Sequence, residues 1–287
     1  MAFNWQTFRT RSLTAIVFVI VMLFGLLWNR WSFFVLFSIV HAGAWIEFQK
    51  LVSKFHPEYN TISRAHKIGV IVAGWCIMLF FTNAALHIGS INFQIAGIWL
   101  GLALIVLLPL ADLIKGNFHI PNIAYSITGL IYISLSLGLL IDLRNRWDDQ
   151  HYQLSMTIPL LIIFSLWIND TMAYIVGSLI GRHPLSIISP KKTWEGTIGG
   201  IILTIVTMSL IANFTKRISI TDAAIMAAIA SITGTLGDLA ESKLKRMAEV
   251  KDSGHIMPGH GGFLDRFDSL LFATVFVWFY AELFISA

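Results

Sequence analysis

Charged side chains are scarce in this sequence, and their scarcity sets the class of protein. Only 13% of the 287 residues are Asp, Glu, Lys or Arg, whereas 56% are hydrophobic. Soluble domains carry about 25% charged residues and need polar side chains to cover the folded surface. The composition excludes a soluble domain and predicts an all-α, polytopic integral membrane protein.

Cysteine is nearly absent, and so are the marks of a cleaved signal peptide. The single cysteine, Cys76, lies in an apolar run, which excludes an intramolecular disulfide and a metal site built from several cysteines. The first apolar run follows Arg9 and Arg11 but continues past Trp28 without a small-residue cleavage site. We therefore expect a first membrane helix there.

Long apolar runs are abundant and give the predicted topology. A hydrocarbon core about 30 Å thick requires about 20 apolar residues. The nine predicted spans are 12–29, 31–48, 68–88, 93–113, 122–142, 155–180, 197–214, 220–237 and 267–286. We expect a tight hairpin at Asn29-Arg30 and a single membrane domain over 1–287, in which 1–150 carries no catalytic motif.

The basic residues are divided unequally between the two sides of this topology. With the N-terminus inside, 15 of the 20 Lys and Arg residues fall in inside segments and 5 in outside segments. Positive charge accumulates on the cytoplasmic side of membrane proteins. The asymmetry predicts an N-in/C-out orientation, and it places the polar loops 181–196 and 238–266 together on the cytoplasmic side.

Polar residues interrupt the sixth span at Asn169-Asp170-Thr171. A carboxylate at membrane depth costs about 2.5–3.5 kcal/mol on insertion scales, and it normally faces a polar cavity or a partner. The triplet is therefore either a wall of a hydrophilic site or a polar contact between helices.

The polar stretch Ser189-Pro190-Lys191-Lys192-Thr193-Trp194-Glu195-Gly196 precedes a helix predicted to begin near Thr197. Helix N-termini present free N–H groups to anions, and lysine adds a point charge that suits phosphate. An ordinary basic loop beside the membrane has the same composition. The residues alone indicate a phosphate site or such a loop.

Acids and bases crowd into the stretch from Gly237 to Ser269. If the eighth helix extends through Arg246, four of its polar residues share one face. They are Asp238, Glu241, Ser242 and Lys245. This face is either a binding surface or a stripe of ion pairs at the membrane edge.

Asp265 and Asp268, three residues apart at the start of the last helix, point the same way. Carboxylates this close repel one another unless a cation lies beside them, and Mg²⁺ prefers such hard oxygen ligands. Capping of the helix N-terminus is the alternative. The nearby Gly259, Gly261 and Gly262 favour a ligand, because a flexible backbone lets a ligand approach closely.

A long ordered motif runs from Ser242 to Asp268. It follows the pattern S-x-aliphatic-K-R, four residues, K-D-S-G, and then P-G-H-G-G-aliphatic-x-D-R-x-D. With the segments 169–171 and 189–196, it resembles the CDP-diacylglycerol synthases, also called phosphatidate cytidylyltransferases, over about 165–270. The departures from the family pattern are Met172, Pro184, His255, Met257 and Phe263. They bear on loop packing more than on catalysis.

This resemblance implies transfer of CMP from CTP to phosphatidate, giving CDP-diacylglycerol and pyrophosphate, with Mg²⁺ as cofactor and a second cation left open. The implied metal ligands are Asp238, Asp265 and Asp268. The implied catalytic residues are these three together with Lys245, Arg246, Arg266 and His260, the last as a hydrogen-bonding partner of phosphate. The implied substrate-binding residues are Asn169, Asp170, Ser189, Lys191, Lys192, Thr193, Glu195, Glu241, Ser242, Lys251, Asp252, Gly259, Gly261 and Gly262.

The resemblance also implies the surroundings of the protein. The expected partners are CTP, phosphatidate, the lipid bilayer and a second copy of the chain in a homodimer, with no nucleic acid. The expected location is the bacterial inner membrane, with the active site facing the cytoplasm.

Two other functions remain open from the sequence. A CTP-dependent lipid or polyprenol kinase would transfer the γ-phosphoryl group. An ion-coupled transporter would carry polar residues through many spans, but the first five spans are nearly free of central charges.

Overall fold

The computed structural model describes residues 5–114, 116, 119–147, 151–255 and 261–285, with the backbone alone over 5–13. Its α-helices are α1 Trp5–Leu27, α2 Arg30–Phe55, α3 Arg64–Phe80, α4 Phe93–Ile114, α5 Ile120–Gly129, α6 Ser136–Asn145, α7 Tyr152–Ile180, α8 Trp194–Thr215, α9 Ile220–Met247 and α10 Leu264–Phe284. The other described elements are a 3₁₀ turn at Pro57–Thr61, a π-helical turn at Leu130–Leu135, and an antiparallel pair of short strands, β1 His87–Ile88 and β2 Ile91–Asn92.

Within the described part of the chain, seven helical segments are long and apolar enough to cross a membrane. They are Arg30–Phe55, Phe93–Ile114, Ile120–Asn145, Tyr152–Ile180, Trp194–Thr215, Ile220–Met247 and Leu264–Phe284. The prediction of an all-α, polytopic membrane protein is confirmed. The other two predicted spans coincide with α1, which has an apolar stretch at Thr14–Leu27, and with α3, which has 17 residues.

The junction between α1 and α2 follows from its local sequence. Asn29 caps α2, because its side chain accepts the Ser32 N–H at 2.8 Å while Ser32 Oγ accepts the Asn29 N–H at 3.0 Å. A Cβ on Gly25 would lie 2.6 Å from the Leu36 side chain, so glycine lets the two helices pack closely. The predicted hairpin at Asn29-Arg30 is confirmed.

The chain forms two compact units. Unit 1 contains Met1–Ile141 and Met247–Phe267, and unit 2 contains Asp142–Arg246 and Asp268–Ala287. The chain therefore passes from one unit to the other inside α6, before the last residue of α9, and inside α10 after its first turn. The single membrane domain over 1–287 stays a prediction.

Aromatic side chains of α2 form much of the core of unit 1. Phe33, Phe37 and Trp45 are at most 1% exposed. Trp45 Nε1 donates to Ser134 Oγ at 2.8 Å, and the rim of its ring lies against Gly129. The π-helical turn that contains Ser134 is thereby fixed to α2.

A buried polar set in unit 1 joins α3, α4 and α5. His66 Nδ1 contacts Asp112 Oδ2, and His66 Nε2 lies 3.1 Å from Ser126 Oγ. All three residues are at most 5% exposed. Polar contacts of this kind hold helices together where water is absent.

Small residues set the packing in unit 2. A Cβ on Gly196 of α8 would lie 2.6 Å from the Ala173 carbonyl oxygen of α7, and one on Gly200 would lie 2.9 Å from the Asn169 carbonyl oxygen. Small residues at such positions let membrane helices approach closely. The backbones of α7 and α8 are therefore in near contact at the end that leads into the loop 181–193.

Candidate active site

The last turns of α9 carry the predicted polar face. The helix ends at Met247 rather than at 237, because the added residues are helix formers without glycine or proline. Lys245 pairs with Glu241, and Ser242 Oγ donates to Asp238 Oδ1 at 3.4 Å. The expected alignment of these four residues on one face of the helix is confirmed.

Three carboxylates converge in unit 2. One oxygen atom from each of Asp238, Glu241 and Asp268 lies within 4.8 Å of the others. Glu241 is 0% exposed and Asp268 is 8% exposed. We call Asp238, Glu241 and Asp268 the acidic cluster. It joins the end of α9 to the second turn of α10.

A glycine makes this convergence possible. A Cβ on Gly237 of α9 would lie 2.6 Å from the Asp268 carbonyl oxygen of α10. The helices touch at this point, which brings the side chains on either side of it into reach of one another. The adjacent Ser269 N–H donates to Asp268 Oδ1 at 2.6 Å and fixes that carboxylate.

Two lysines contact members of the acidic cluster. Lys192 contacts Asp238 Oδ2, and Lys245 contacts Glu241 Oε2. Carboxylates this close to one another repel unless a cation lies beside them.

The donor set of the acidic cluster fits Mg²⁺. All three side chains offer hard oxygen atoms, and they are close enough for more than one of them to reach a single ion. Mg²⁺ binds one or two carboxylates and keeps positions for waters and substrate phosphates. Glu241, which the sequence placed among the substrate-binding residues, belongs to this set.

The loop between α7 and α8 brings Lys192 to the acidic cluster. Pro184 and Thr193 form an antiparallel bridge, and the Leu185 N–H donates to the Lys192 carbonyl oxygen at 2.7 Å. Thr193 Oγ1 accepts the Gly196 N–H at 3.1 Å, so α8 begins at Trp194, before the predicted start near Thr197.

Glu195 holds the same loop from the first turn of α8. Its Oε2 accepts the N–H groups of Arg182 and His183 at 3.1 and 3.2 Å, and its Oε1 lies 2.5 Å from His183 Nδ1. These contacts give Glu195 a structural part in the loop. Substrate binding by Glu195 stays a prediction.

Asp265 lies in unit 1, in the first turn of α10. Its Oδ2 accepts the N–H groups of Ser253 and Gly262, both at 2.8 Å, and lies 2.8 Å from Ser253 Oγ. Gly261 has φ +80°, a conformation that side chains disfavour, and a Cβ there would lie 2.6 Å from Asp265 Oδ2. The loop is shaped around this carboxylate, and metal coordination by Asp265 stays a prediction.

The remaining predicted residues differ in accessibility. Asn169 is 2% exposed, whereas Ser189 is half-buried. The exposed members of the predicted set are Asp170, Lys191, Arg246, Lys251, Asp252 and Arg266. Gly259 and His260 lie outside the described residues.

One buried acid of unit 1 was missed by the sequence reasoning. Glu47 of α2 accepts the N–H groups of Phe263 and Leu264 at the start of α10. A signal was present in the sequence, because an acid inside a membrane-spanning helix normally has a partner and a function. Its partner was not evident, because the two contacts span 216 and 217 residues of chain.

Comparisons with known proteins show the family to which this chain is related. The profile of the Cytidylyltransferase family matches residues 9–284. The phosphatidate cytidylyltransferase of Bacillus subtilis is 31% identical over 279 residues, which cover 96% of this chain and 98% of that protein. Those of Staphylococcus haemolyticus and Staphylococcus aureus are 40% and 37% identical over 58% of this chain and 62% of their own length. Because the profile spans nearly the whole sequence, the chain belongs to the cytidylyltransferase family.

Proposed function

We infer that this protein transfers CMP from CTP to phosphatidate in phospholipid biosynthesis. The products are CDP-diacylglycerol and pyrophosphate. The similarity to the phosphatidate cytidylyltransferase of B. subtilis over 98% of that protein's length supports the substrates. The observation that carries the chemistry is the acidic cluster of unit 2 with lysines at two of its members.

The reaction forms one bond and breaks one bond at the α-phosphorus of CTP. A phosphatidate phosphate oxygen forms the new P–O bond, and the bond to the bridging oxygen of the β-phosphate breaks as pyrophosphate leaves. The attacking phosphate is already an anion at neutral pH, so the site needs no strong base. The barrier lies in bringing anions together and in stabilising charge on the leaving group.

The residues of the acidic cluster are proposed to hold Mg²⁺. The fit rests on three oxygen donors within 4.8 Å of one another. When bound, the metal ion supplies charge neutralisation and orients phosphate oxygens in line. Asp265 as a further ligand, and a second cation beside Mg²⁺, stay predictions from the family resemblance.

Lysines at the acidic cluster are proposed to bind phosphate. Lys192 and Lys245 each contact one acid of the cluster, so their ammonium groups are held where an anionic substrate would be neutralised. Lys191 and Arg246 are exposed near these two positions in the chain and can add charge. Together they would position the triphosphate before the reaction, which is the larger part of phosphoryl-type catalysis.

The topology is proposed as nine spans with the N-terminus inside and the C-terminus outside. The support is the coincidence of α1 and α3 with two predicted spans and the 15-to-5 distribution of Lys and Arg. This orientation places the loop 181–196 and the end of α9 on the cytoplasmic side of a bacterial inner membrane, where CTP is present. A homodimer in the lipid bilayer is part of the same proposal.

A labelled-nucleotide assay tests the proposed function. Purified protein in vesicles that contain phosphatidate and Mg²⁺ is incubated with CTP labelled at either the α- or the γ-phosphate. Cytidylyl transfer puts only the α label into lipid, whereas a CTP-dependent lipid kinase would put only the γ label there. Lipid without either label would exclude both enzymes and leave the transporter.

A further inference from the structure

Glu47 is the single acidic residue of α2, and its carboxylate is buried in unit 1. Glu47 is 6% exposed. Oε1 accepts the Phe263 N–H at 2.9 Å, while Oε2 accepts the Leu264 N–H at 2.9 Å and lies 2.8 Å from Ser253 Oγ. A carboxylate in an apolar helix is tolerated only with partners of this quality.

The N–H groups of Phe263 and Leu264 are the first free donors of α10. Such groups carry partial positive charge and normally bind a side chain from their own segment. Here the acceptor is Glu47, which is 216 residues away from Phe263. The direction of the first turn of α10, and of the side chains on it, is therefore set by α2.

Two glycines of the C-terminal motif are shaped around the same carboxylate. A Cβ on Gly254 or on Gly262 would overlap with the side-chain oxygens of Glu47. Neither glycine has a positive φ, so the requirement is for space rather than for backbone conformation. Gly262 is a predicted substrate-binding residue, and in unit 1 its missing side chain makes room for Glu47.

Ser253 connects Glu47 to Asp265. Its hydroxyl oxygen lies 2.8 Å from Glu47 Oε2 and 2.8 Å from Asp265 Oδ2. The Asp265 N–H also donates to this oxygen at 3.3 Å. One hydroxyl thus lies within hydrogen-bond distance of two carboxylates, and its single proton is donated to one of them at a time.

Building on the proposed function, we infer that Glu47 is a positioning residue of the enzyme. Its carboxylate fixes Ser253 and the first N–H groups of α10, and thereby orients Asp265, the predicted metal ligand. The alternative is that Glu47 only stabilises the contact between α2 and the start of α10. The two views differ in kinetics, because loss of a purely structural contact alters stability without altering turnover by the folded enzyme.

The variant Glu47→Gln has nearly the same shape and tests this difference. Both carboxylate oxygens accept a backbone N–H, so the amide NH₂ group must face one of these donors. We expect kcat to fall by about 10–100-fold, as for loss of partners that orient a metal ligand. We expect KM for CTP to change by less than about threefold, because substrate binding is not removed.

Hydrogen exchange provides a readout that does not depend on activity. The amides of Phe263 and Leu264 should exchange faster in Glu47→Gln than in wild type. The matched control is Glu58→Gln in unit 1, an acid with a side chain that is 69% exposed, and it should leave kcat and exchange unchanged. Wild-type kcat and wild-type exchange in Glu47→Gln would overturn the inference.

Two further experiments keep the inference testable if Glu47→Gln does not fold. Ser253→Ala leaves the backbone contacts of Glu47 intact and should lower kcat without changing KM for CTP; an unchanged kcat contradicts the inference. A cycle of Glu47→Ala, Gly262→Ala and the double variant should be non-additive, because the added methyl group clashes only while Glu47 is present. Additive effects on kcat would contradict the inference as well.

These outcomes separate the inference from the proposed function. If wild-type protein transfers no α label to lipid, the proposed function fails. The exchange comparison between wild type and Glu47→Gln still reports whether Glu47 holds the start of α10. If the wild-type protein is active, and Glu47→Gln has the same kcat and the same amide exchange, the inference alone fails.

Discussion

Buried acidic side chains have different surroundings in the two units. In unit 1, Asp112 is paired with His66, and Glu47 accepts hydrogen bonds from two backbone N–H groups. In unit 2, Asp238 and Asp268 lie near Glu241, with Lys192 and Lys245 as partners for two of the three. In unit 1 the carboxylates of Asp112 and Glu47 each contact hydrogen-bonding partners. In unit 2 three carboxylates are brought close to one another.

We interpret this difference as one between structural acids in unit 1 and acids that we propose bind a cation in unit 2. Loss of the donors that contact a buried carboxylate destabilises the fold, because the carboxylate is left without partners. Buried carboxylates that meet each other raise the free energy of the protein until a cation arrives. Substitutions should therefore act in opposite directions in the two units, and the following predictions test that contrast.

The largest expected effect is that of Asp268→Asn in unit 2. CMP transfer should fall by about 10³-fold, since loss of about 4 kcal/mol of charge stabilisation by a metal corresponds to that factor. The melting temperature should stay the same or rise, because one of three mutually repelling charges is gone while the Asn oxygen can still accept the Ser269 N–H. Label transfer and thermal unfolding measure the two effects.

Magnesium supplies the control for this variant. Added Mg²⁺ should raise the melting temperature of wild type, because a ligand that binds only the folded state stabilises it. Added Mg²⁺ should raise the melting temperature of Asp268→Asn much less. Asp222→Asn, a substitution at the other end of α9, should respond to Mg²⁺ as wild type does. An equal response of all three proteins would remove the acidic cluster as the metal site.

A smaller loss of catalytic activity is expected for Lys245→Gln. Removal of one charge-assisted contact to an anion costs about 1.5–3 kcal/mol, which corresponds to about 10–100-fold in kcat/KM for CTP. The matched control is Lys243→Gln on the same helix, where the lysine is exposed. Steady-state kinetics should separate the two variants, and equal kinetics would exclude Lys245 from phosphate binding.

The smallest effect on activity is expected for Asp112→Asn in unit 1. Loss of the charged partner of His66 should lower the free energy of unfolding by about 1–3 kcal/mol. The kcat of the folded enzyme should stay within about twofold of wild type, because the contact is structural. Denaturant or thermal unfolding beside the transfer assay gives both values. A large fall in kcat at unchanged stability would break the contrast between the units.

Local patterns in the sequence predicted much of unit 2. The spacing of Asp238, Glu241 and Lys245 predicted a common face, and the structure extends α9 far enough to form it. Asp268 was identified from its place three residues after Asp265, and Lys192 from its charge. Each of these inferences needs only helical periodicity and a neighbouring polar segment.

The sequence was less informative wherever distant segments meet. The contact of Glu47 with the start of α10 depends on tertiary packing, and nothing within α2 reveals its partner. The family resemblance implied substrate binding by Glu195, and no local pattern showed that its carboxylate accepts the N–H groups of Arg182 and His183. Gly237 was predicted only as a helix residue. The sequence did not show that its missing side chain lets α10 approach α9 closely.

The fit between Glu47 and the glycines at 254 and 262 limits how this protein can be recombined. A chimera that takes residues 251–267 from a relative and α2 from this chain would place a foreign backbone against the Glu47 side chain. Helix α2 and residues 251–267, which lie far apart in the sequence, must therefore be exchanged together. Swaps that respect this pairing should yield working hybrids more often than swaps of either piece alone.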